Sequence, residues 1–253
     1  MKRIFTFLAV SAMLFAANAQ EKVYVHTKGV AYEFDAADVD EINFVKGSDK
    51  DGALQERWIA KMEFVDLGLS VKWAKCNLGA ETPANYGDYY AWGETMTKEE
   101  YNRDNSAWYN VSWEDLKTNG VIDDNKNLTA QYDAATAVCE DWRMPTLTEI
   151  EELLSLERET TTMKDDAGNE VLGYLFRGKG EKSDNTLFVP LAGHRYGSNF
   201  GDVGIDGFCW SATAFGQEIY AHCLGVYTEE ANWSASYSCH YGFSVLAVLK
   251  TKK

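Results

Sequence analysis

Residues 142–154 read Trp142-Arg143-Met144-Pro145-Thr146-Leu147-Thr148-Glu149-Ile150-Glu151-Glu152-Leu153-Leu154. This is the stretch where a helix is most clearly written. Thr146 and Glu149 have the spacing of a capping box, in which each side chain satisfies a free backbone N–H at the helix start. Leu147, Ile150, Leu153 and Leu154 then share one helical face, with Glu149, Glu151 and Glu152 mostly outside it. Arg143 could hold an anion. The helix-start chemistry instead favours Trp142 in the core, Arg143 paired with a nearby carboxylate, and Thr146 as the cap.

Beyond this helix the chain turns to strands. Residues 160–163 and 171–176 flank Asp165-Asp166-Ala167-Gly168-Asn169, the pattern of a hairpin. Residues 187–189, 208–212, 219–226, 231–237 and 242–249 continue the strand set. Gly193, Gly197, Gly201, Gly204 and Gly207 punctuate a turn-rich loop. Upstream, residues 64–69, 71–76 and 88–92 read as strands, and residues 133–138 as a short helix. The polar residues 95–131, with Asn105, Asn110, Asn119-Gly120 and Asp123-Asp124-Asn125, read as a long loop with little regular structure. Few helical patterns and 34 aromatic residues (8 Trp, 14 Tyr, 12 Phe) indicate a strand-rich α+β domain.

Near the N-terminus, Val23-Tyr24-Val25-His26, residues 31–34 and Ile42-Asn43-Phe44-Val45 predict three short strands. Three such strands bury little alone, so this unit is expected to dock on something. Lys2 and Arg3, an apolar run to Phe15 and Ala17-Asn18-Ala19 read as a secretory signal with cleavage after Ala19. The expected organisation is therefore a signal peptide at 1–19, a small β unit at 20–46, a polar linker at 47–61 and a main domain at 62–253. No stretch is long and apolar enough for a transmembrane helix. The chain is expected to be exported to the periplasm, the outer surface or the medium.

The net charge is −15, and removal of the signal makes it more negative. Such a surface repels nucleic acid and anionic membranes. Export permits disulfides among Cys76, Cys139, Cys209, Cys223 and Cys239, and an odd number leaves at least one without an intrachain partner. Cys223 and Cys239 are the candidates for a cross-strand bridge, and Cys76 reads as a buried free thiol.

Four segments occur together in the main domain. The first is Val65-Asp66-Leu67-Gly68-Leu69 with Trp73-Ala74-Lys75-Cys76-Asn77-Leu78-Gly79-Ala80. The second is Tyr86-Gly87-Asp88-Tyr89-Tyr90-Ala91-Trp92-Gly93-Glu94. The third is Trp142-Arg143-Met144-Pro145-Thr146, and the fourth is Pro190-Leu191-Ala192-Gly193-His194-Arg195 leading to Trp210-Ser211-Ala212-Thr213. In content and order they resemble the Fibrobacter succinogenes major paralogous domain family, common in secreted proteins of Bacteroidetes. The resemblance covers about residues 62–250. It implies a C-type-lectin-like domain, related to sulfatase-modifying factors, with two helices and a twisted antiparallel sheet. Members close on Gly-Phe-Ser-Val-Arg, whereas here Leu246 follows Gly242-Phe243-Ser244-Val245. The family brings no defined activity, so no functional residue transfers with it.

No catalytic motif is present: neither G-x-S-x-G nor H-E-x-x-H occurs, and the glycine-rich loop lacks a phosphate-binding pattern. Carboxylates abound, but nothing selects a pair for glycoside hydrolysis. Cys209, His222-Cys223 and Cys239-His240 suggest zinc, yet strand neighbours point to opposite faces, so each pair offers a shared metal one ligand. Asp123, Asn125 and Asn127 match the first half of a calcium loop, but Leu128 and Ala134 stand where it needs Gly and Glu. No metal and no cofactor are expected. The reading that fits is a non-catalytic secreted or cell-surface binding module for a glycan or protein ligand. Its candidate aromatics are Tyr196, Trp233 and Tyr237, with Trp108 and Trp113 in the long polar segment. The alternatives are a structural or tip subunit of a fimbria-like assembly, docked through the N-terminal strands, and an enzyme on a sulfatase-modifying-factor-like fold.

Overall fold

A computed structural model of the chain describes residues 22–27, 30–35, 62–216, 220–228 and 234–250. The chain forms two compact units, Met1–Lys50 and Asp51–Lys253. In the first, β1 (Lys22–Thr27) pairs antiparallel with β2 (Val30–Asp35), Val25 lying opposite Tyr32. The third strand expected at residues 42–45, and the linker at 47–61, lie outside the described residues.

The second unit is mixed, mostly small antiparallel sheets with few helices. β3 (Phe64–Val65), β4 (Trp73–Ala74), β5 (Trp142–Arg143) and β14 (Val248–Leu249) form one sheet in the order β3-β4-β14-β5. β6 (Arg158–Lys164), β7 (Glu170–Arg177) and β8 (Thr186–Pro190) form a meander. β9 (His194–Tyr196) and β10 (Asn199–Gly201) make a hairpin. β11 (Asp206–Phe215), β12 (Tyr220–Tyr227) and β13 (Ser234–Ser238) make a second meander. The described helices are α1 (Trp113–Thr118), α2 (Ala134–Val138) and α3 (Leu147–Leu154).

The β11–β12–β13 sheet is covered on both faces, and the side-chain alternation shows how. Phe208, Trp210 and Ala212 of β11, with Ala221 and Cys223 of β12, enter one apolar cluster that includes Trp92, Met144 and Phe243. Cys209, Leu224 and Val226 point the other way, into a cluster with Trp73, Ile150, Leu153, Phe176 and Leu187. Two-sided burial explains why β11 reads as a nearly continuous apolar run.

The segment 242–248 runs between these two clusters. Phe243, Val245 and Ala247 join the first, Leu246 and Val248 the second. The sequence predicts a strand over 242–249. The segment instead pairs with a different neighbour at almost every step, so only Val248–Leu249 forms a ladder. Phe243 bonds Tyr90 in both directions (2.9 and 3.0 Å), and the N–H groups of Trp210, Leu78 and Ala74 donate to the carbonyls of Ser244, Val245 and Ala247. The strand expected at 88–92 likewise contracts to the single Tyr90–Phe243 bridge.

Sequence and structure agree closely at α3. Thr146 Oγ1 accepts from Glu149 N–H (3.4 Å), and Glu149 Oε2 accepts from Thr146 N–H (2.8 Å) and from Arg143 Nη1 (2.7 Å). Burial presses the Glu149 carboxyl upward, but Arg143 and the Thr146 N–H outweigh it and hold it below the usual carboxylate range. Trp142 is buried in the core. The long polar segment is more ordered than its composition suggests. Ser112 caps α1 by accepting from Asp115 N–H (3.1 Å), and Leu116 anchors the helix in the core. The strands expected at 64–69 and 71–76 shrink to two residues each, separated by a turn in which Gly68 has φ +73° and its N–H donates to Asp66 Oδ1.

The expected Cys223–Cys239 bridge is not formed, and all five cysteines are free thiols. The β12–β13 register places Ala235 opposite Cys223. Cys239 lies beyond the end of β13, with its Sγ 3.9 Å from Ser106 Oγ. Burial pushes the thiols up, to about 12 at Cys209 and about 11 at Cys239, so they resist forming the reactive thiolate. Cys76 is half-buried rather than buried.

Two outcomes follow from this packing. Thr146→Ala should lower the urea midpoint, with unchanged slope, by the equivalent of about 1 kcal/mol. Protein unfolded without reductant should yield five titratable thiols, whereas a yield of three would restore the bridge.

Candidate functional site

The glycine-punctuated stretch after β8 is a hairpin rather than an open loop, and the hairpin sets the site. Gly197, at φ +59°, turns the chain between β9 and β10, which pair Tyr196 with Asn199 and His194 with Gly201. A Cβ at Gly201 would come within 2.6 Å of the His194 ring, so only glycine leaves that ring its place. Arg195 fastens β9 from behind. Its backbone exchanges hydrogen bonds with Gly242 (2.8 and 3.0 Å). Its guanidinium donates to the carbonyls of Glu99 (2.7 Å) and Ser198 (3.2 Å) and lies over the rings of Tyr101 and Phe200. With Arg195 directed there, strand alternation sends His194 and Tyr196 to the opposite side.

On that side the aromatic rings form a connected surface. Tyr196 packs against Tyr241 at 5.2 Å and His240 at 5.8 Å. Tyr241 reaches Tyr237 at 6.1 Å and His194 at 5.5 Å. Tyr237 and Tyr227 both pack on Phe208. Gly225 makes room for this. It faces Phe208 across the β11–β12 ladder, and a Cβ there would meet the Tyr227 hydroxyl at 3.0 Å. Burial and the neighbouring Tyr237 hydroxyl push the Tyr227 hydroxyl well above its ordinary range, so it stays protonated.

The polar end of this surface holds two carboxylates and an imidazole. His194 Nδ1 lies 3.4 Å from Asp202 Oδ2. Asp206, opposite Tyr227 in the ladder, has its carboxyl raised by burial and by the neighbouring Asp202, with His194 opposing the rise. Beneath the Tyr196–Tyr241 pair, His240 is 1% exposed. Its Nδ1 bonds Ser238 Oγ (2.7 Å), while its Nε2 is buried with no partner among the described residues. Burial and the charges of Arg103 and Lys98 bring its pKa down to about 4, so the ring is neutral at ordinary pH.

The structure divides the aromatic candidates. Tyr196 is 48% exposed and Tyr237 partly exposed, and Tyr241 links them. Trp108 and Trp113, partly exposed like Tyr237, pack against the first apolar cluster and are not joined to those tyrosines by a ring contact among the described residues. Trp108 donates to the Gly93 carbonyl (2.9 Å) and packs edge-on against Tyr132, while Trp113 packs edge-on against Trp92. Trp233 lies outside the described residues. Tyr227, Tyr241, His194, Asp202 and Asp206 escaped sequence reasoning because strand pairing, not spacing in the chain, brings them together.

Among the described residues no group of His, Cys, Asp and Glu is arranged to hold a metal ion. The suspected calcium loop closes on itself: Asp123 Oδ1 accepts from the N–H groups of Asn125 and Asn127 (both 2.9 Å), and Asp124 pairs with Lys117 (2.7 Å). Cys209 and Cys223 enter opposite cores. No described helix is long and apolar enough to cross a membrane.

Chemically, the surface combines flat rings, protonated phenols and carboxylate acceptors. Rings stack on apolar ligand faces, while phenols and carboxylates hydrogen-bond hydroxyl groups. Tyr196→Ala should leave stability within about 0.5 kcal/mol of the parent in urea unfolding, as for an exposed site. Trp108→Ala should cost about 2–3 kcal/mol, as for a partly buried aromatic packed on the core and bonded to Gly93. Comparison with family models, curated proteins and solved structures returned no match.

Proposed function

We propose that this chain is an exported, non-catalytic binding module whose ligand is a glycan held on the Tyr196–Tyr241–Tyr237 surface. The observation that carries the reading is the continuity of this ring surface with a cluster of polar groups. Tyr196 offers an exposed ring, Tyr241 and Tyr237 extend it, and Asp202, Asp206 and the Tyr227 phenol border it. A sugar ring has an apolar face and a rim of hydroxyls, and this pairing of surfaces complements both. The site stands on strands and a hairpin fixed by backbone hydrogen bonds, the kind of rigid scaffold on which binding residues sit.

The reading includes a C-type-lectin-like fold and membership of the Fibrobacter succinogenes major paralogous domain family for residues 62–253. Support comes from the four ordered motifs and from the mixed architecture of short helices and small antiparallel sheets. Leu246, where that family carries Arg, is buried in an apolar cluster and here serves packing. The signal-like N-terminus supports export. A second reading, an assembly subunit, draws on the β1–β2 hairpin, which would offer a strand edge to a partner.

A glycan array with residues 20–253, run with calcium and again with chelator, tests the proposal. Saturable binding to a defined glycan, unaffected by chelator and weakened about tenfold or more by Tyr196→Ala, is expected. A blank array under both conditions would move the ligand to a protein or to an assembly partner.

A further inference from the structure

The charge around the tyrosine surface narrows its ligand class. Asp202 and Asp206 both stand at the polar end, and their mutual influence is seen in the raised Asp206 carboxyl. A further acid placed beside them would meet repulsion from both in a partly desolvated setting.

The neighbouring cations are engaged elsewhere. Lys98 is held by Glu94 (2.8 Å) and the Asn105 carbonyl (2.9 Å). The Arg195 guanidinium donates to backbone carbonyls on the far side of β9. Arg103 lies over the Tyr109 ring, which packs edge-on against His240. His240 itself is neutral at ordinary pH, and its Nε2 is buried without a partner among the described residues. The exposed faces of Tyr196, Tyr241 and Tyr237 add the negative potential of their π systems, which favours cations and repels anions. The whole chain, at net −15, reinforces the same preference at long range.

We infer that the surface takes a neutral or amine-bearing saccharide, with hydroxyls or a free amine facing Asp202 and Asp206, and discriminates against uronic, sialic and sulfated sugars. The inference rests on the binding reading above. Asp202 and Asp206 accept hydrogen bonds from the hydroxyls or ammonium of the ligand, and the tyrosines cover its apolar face. An anionic sugar would have to bring its charge against two carboxylates with no free cation beside them among the described residues.

The test sets a glucosamine hexamer, its N-acetylated counterpart and a galacturonate hexamer side by side in calorimetric titrations, with a glycan array covering the same three charge classes. Parent protein, Tyr196→Ala and the double variant Asp202→Asn/Asp206→Asn are compared, with near-UV circular dichroism confirming that each is folded. Neutral or amine-bearing sugars should bind, with loss in Tyr196→Ala. Anionic sugars should bind about tenfold or more weakly, and the double variant should narrow that gap. Added salt should narrow it too. Anionic sugars binding the parent as tightly as neutral ones, with the same dependence on Tyr196, would overturn the charge preference while leaving the site intact. Binding in no charge class, or binding indifferent to Tyr196→Ala, would overturn the site and this inference with it.

Discussion

The stacking of Phe243 against Phe208 and Trp210 is the contact on which the rest of the second unit depends. The ring centroids lie 4.8 and 4.3 Å apart, and Phe243 is fully buried. Around it, the segment 242–248 donates and accepts backbone hydrogen bonds with parts of the chain near residues 74–78, 90, 195 and 210. A buried segment must satisfy its own N–H and C=O groups, and here it does so by taking a different partner at each step. That is how several small sheets share one interior without merging into a single large one. It also couples the site to the core. Gly242 holds Arg195 in β9, and the next residue, Phe243, packs against His194.

Legibility followed the range of the interactions. The capping box at Thr146 and Glu149, the Arg143 partner, the 158–177 hairpin and the β11–β12–β13 strands were written locally, in spacings and turn residues. What was lost is non-local. The pattern Gly-Phe-Ser-Val reads as strand because its residues are apolar and branched or aromatic. Whether it forms a ladder depends on neighbours far away in the chain. The short helix at Trp113–Thr118 was hidden by the polar composition of its surroundings, although Ser112, followed by Glu114 and Asp115, is a recognisable helix start.

The same limit governed the site. Tyr196 and Tyr237 stand out in the sequence only as candidate binding aromatics, and the structure joins them through Tyr241. Trp108 and Trp113 had equal standing in sequence, since both are aromatic and flanked by polar residues. The structure sets them instead on Gly93, Tyr132 and Trp92, away from the Tyr196–Tyr241–Tyr237 rings. Asp202 and Asp206 were two acids among many, and the β11–β12 register singles out Asp206 by placing it opposite Tyr227. Glycines carried more information than their turn role suggested: Gly201 and Gly225 are positions where an absent side chain leaves space for the rings of His194 and Tyr227.

The five free thiols bear on how the protein matures. Its interior closes by apolar contact and hydrogen bonding alone, without a covalent cross-link between distant parts of the chain. Nothing in that closure calls for an oxidant. The chain also has no bridge for a reducing surrounding to open. The fold as it stands therefore needs no disulfide in the compartment where it forms.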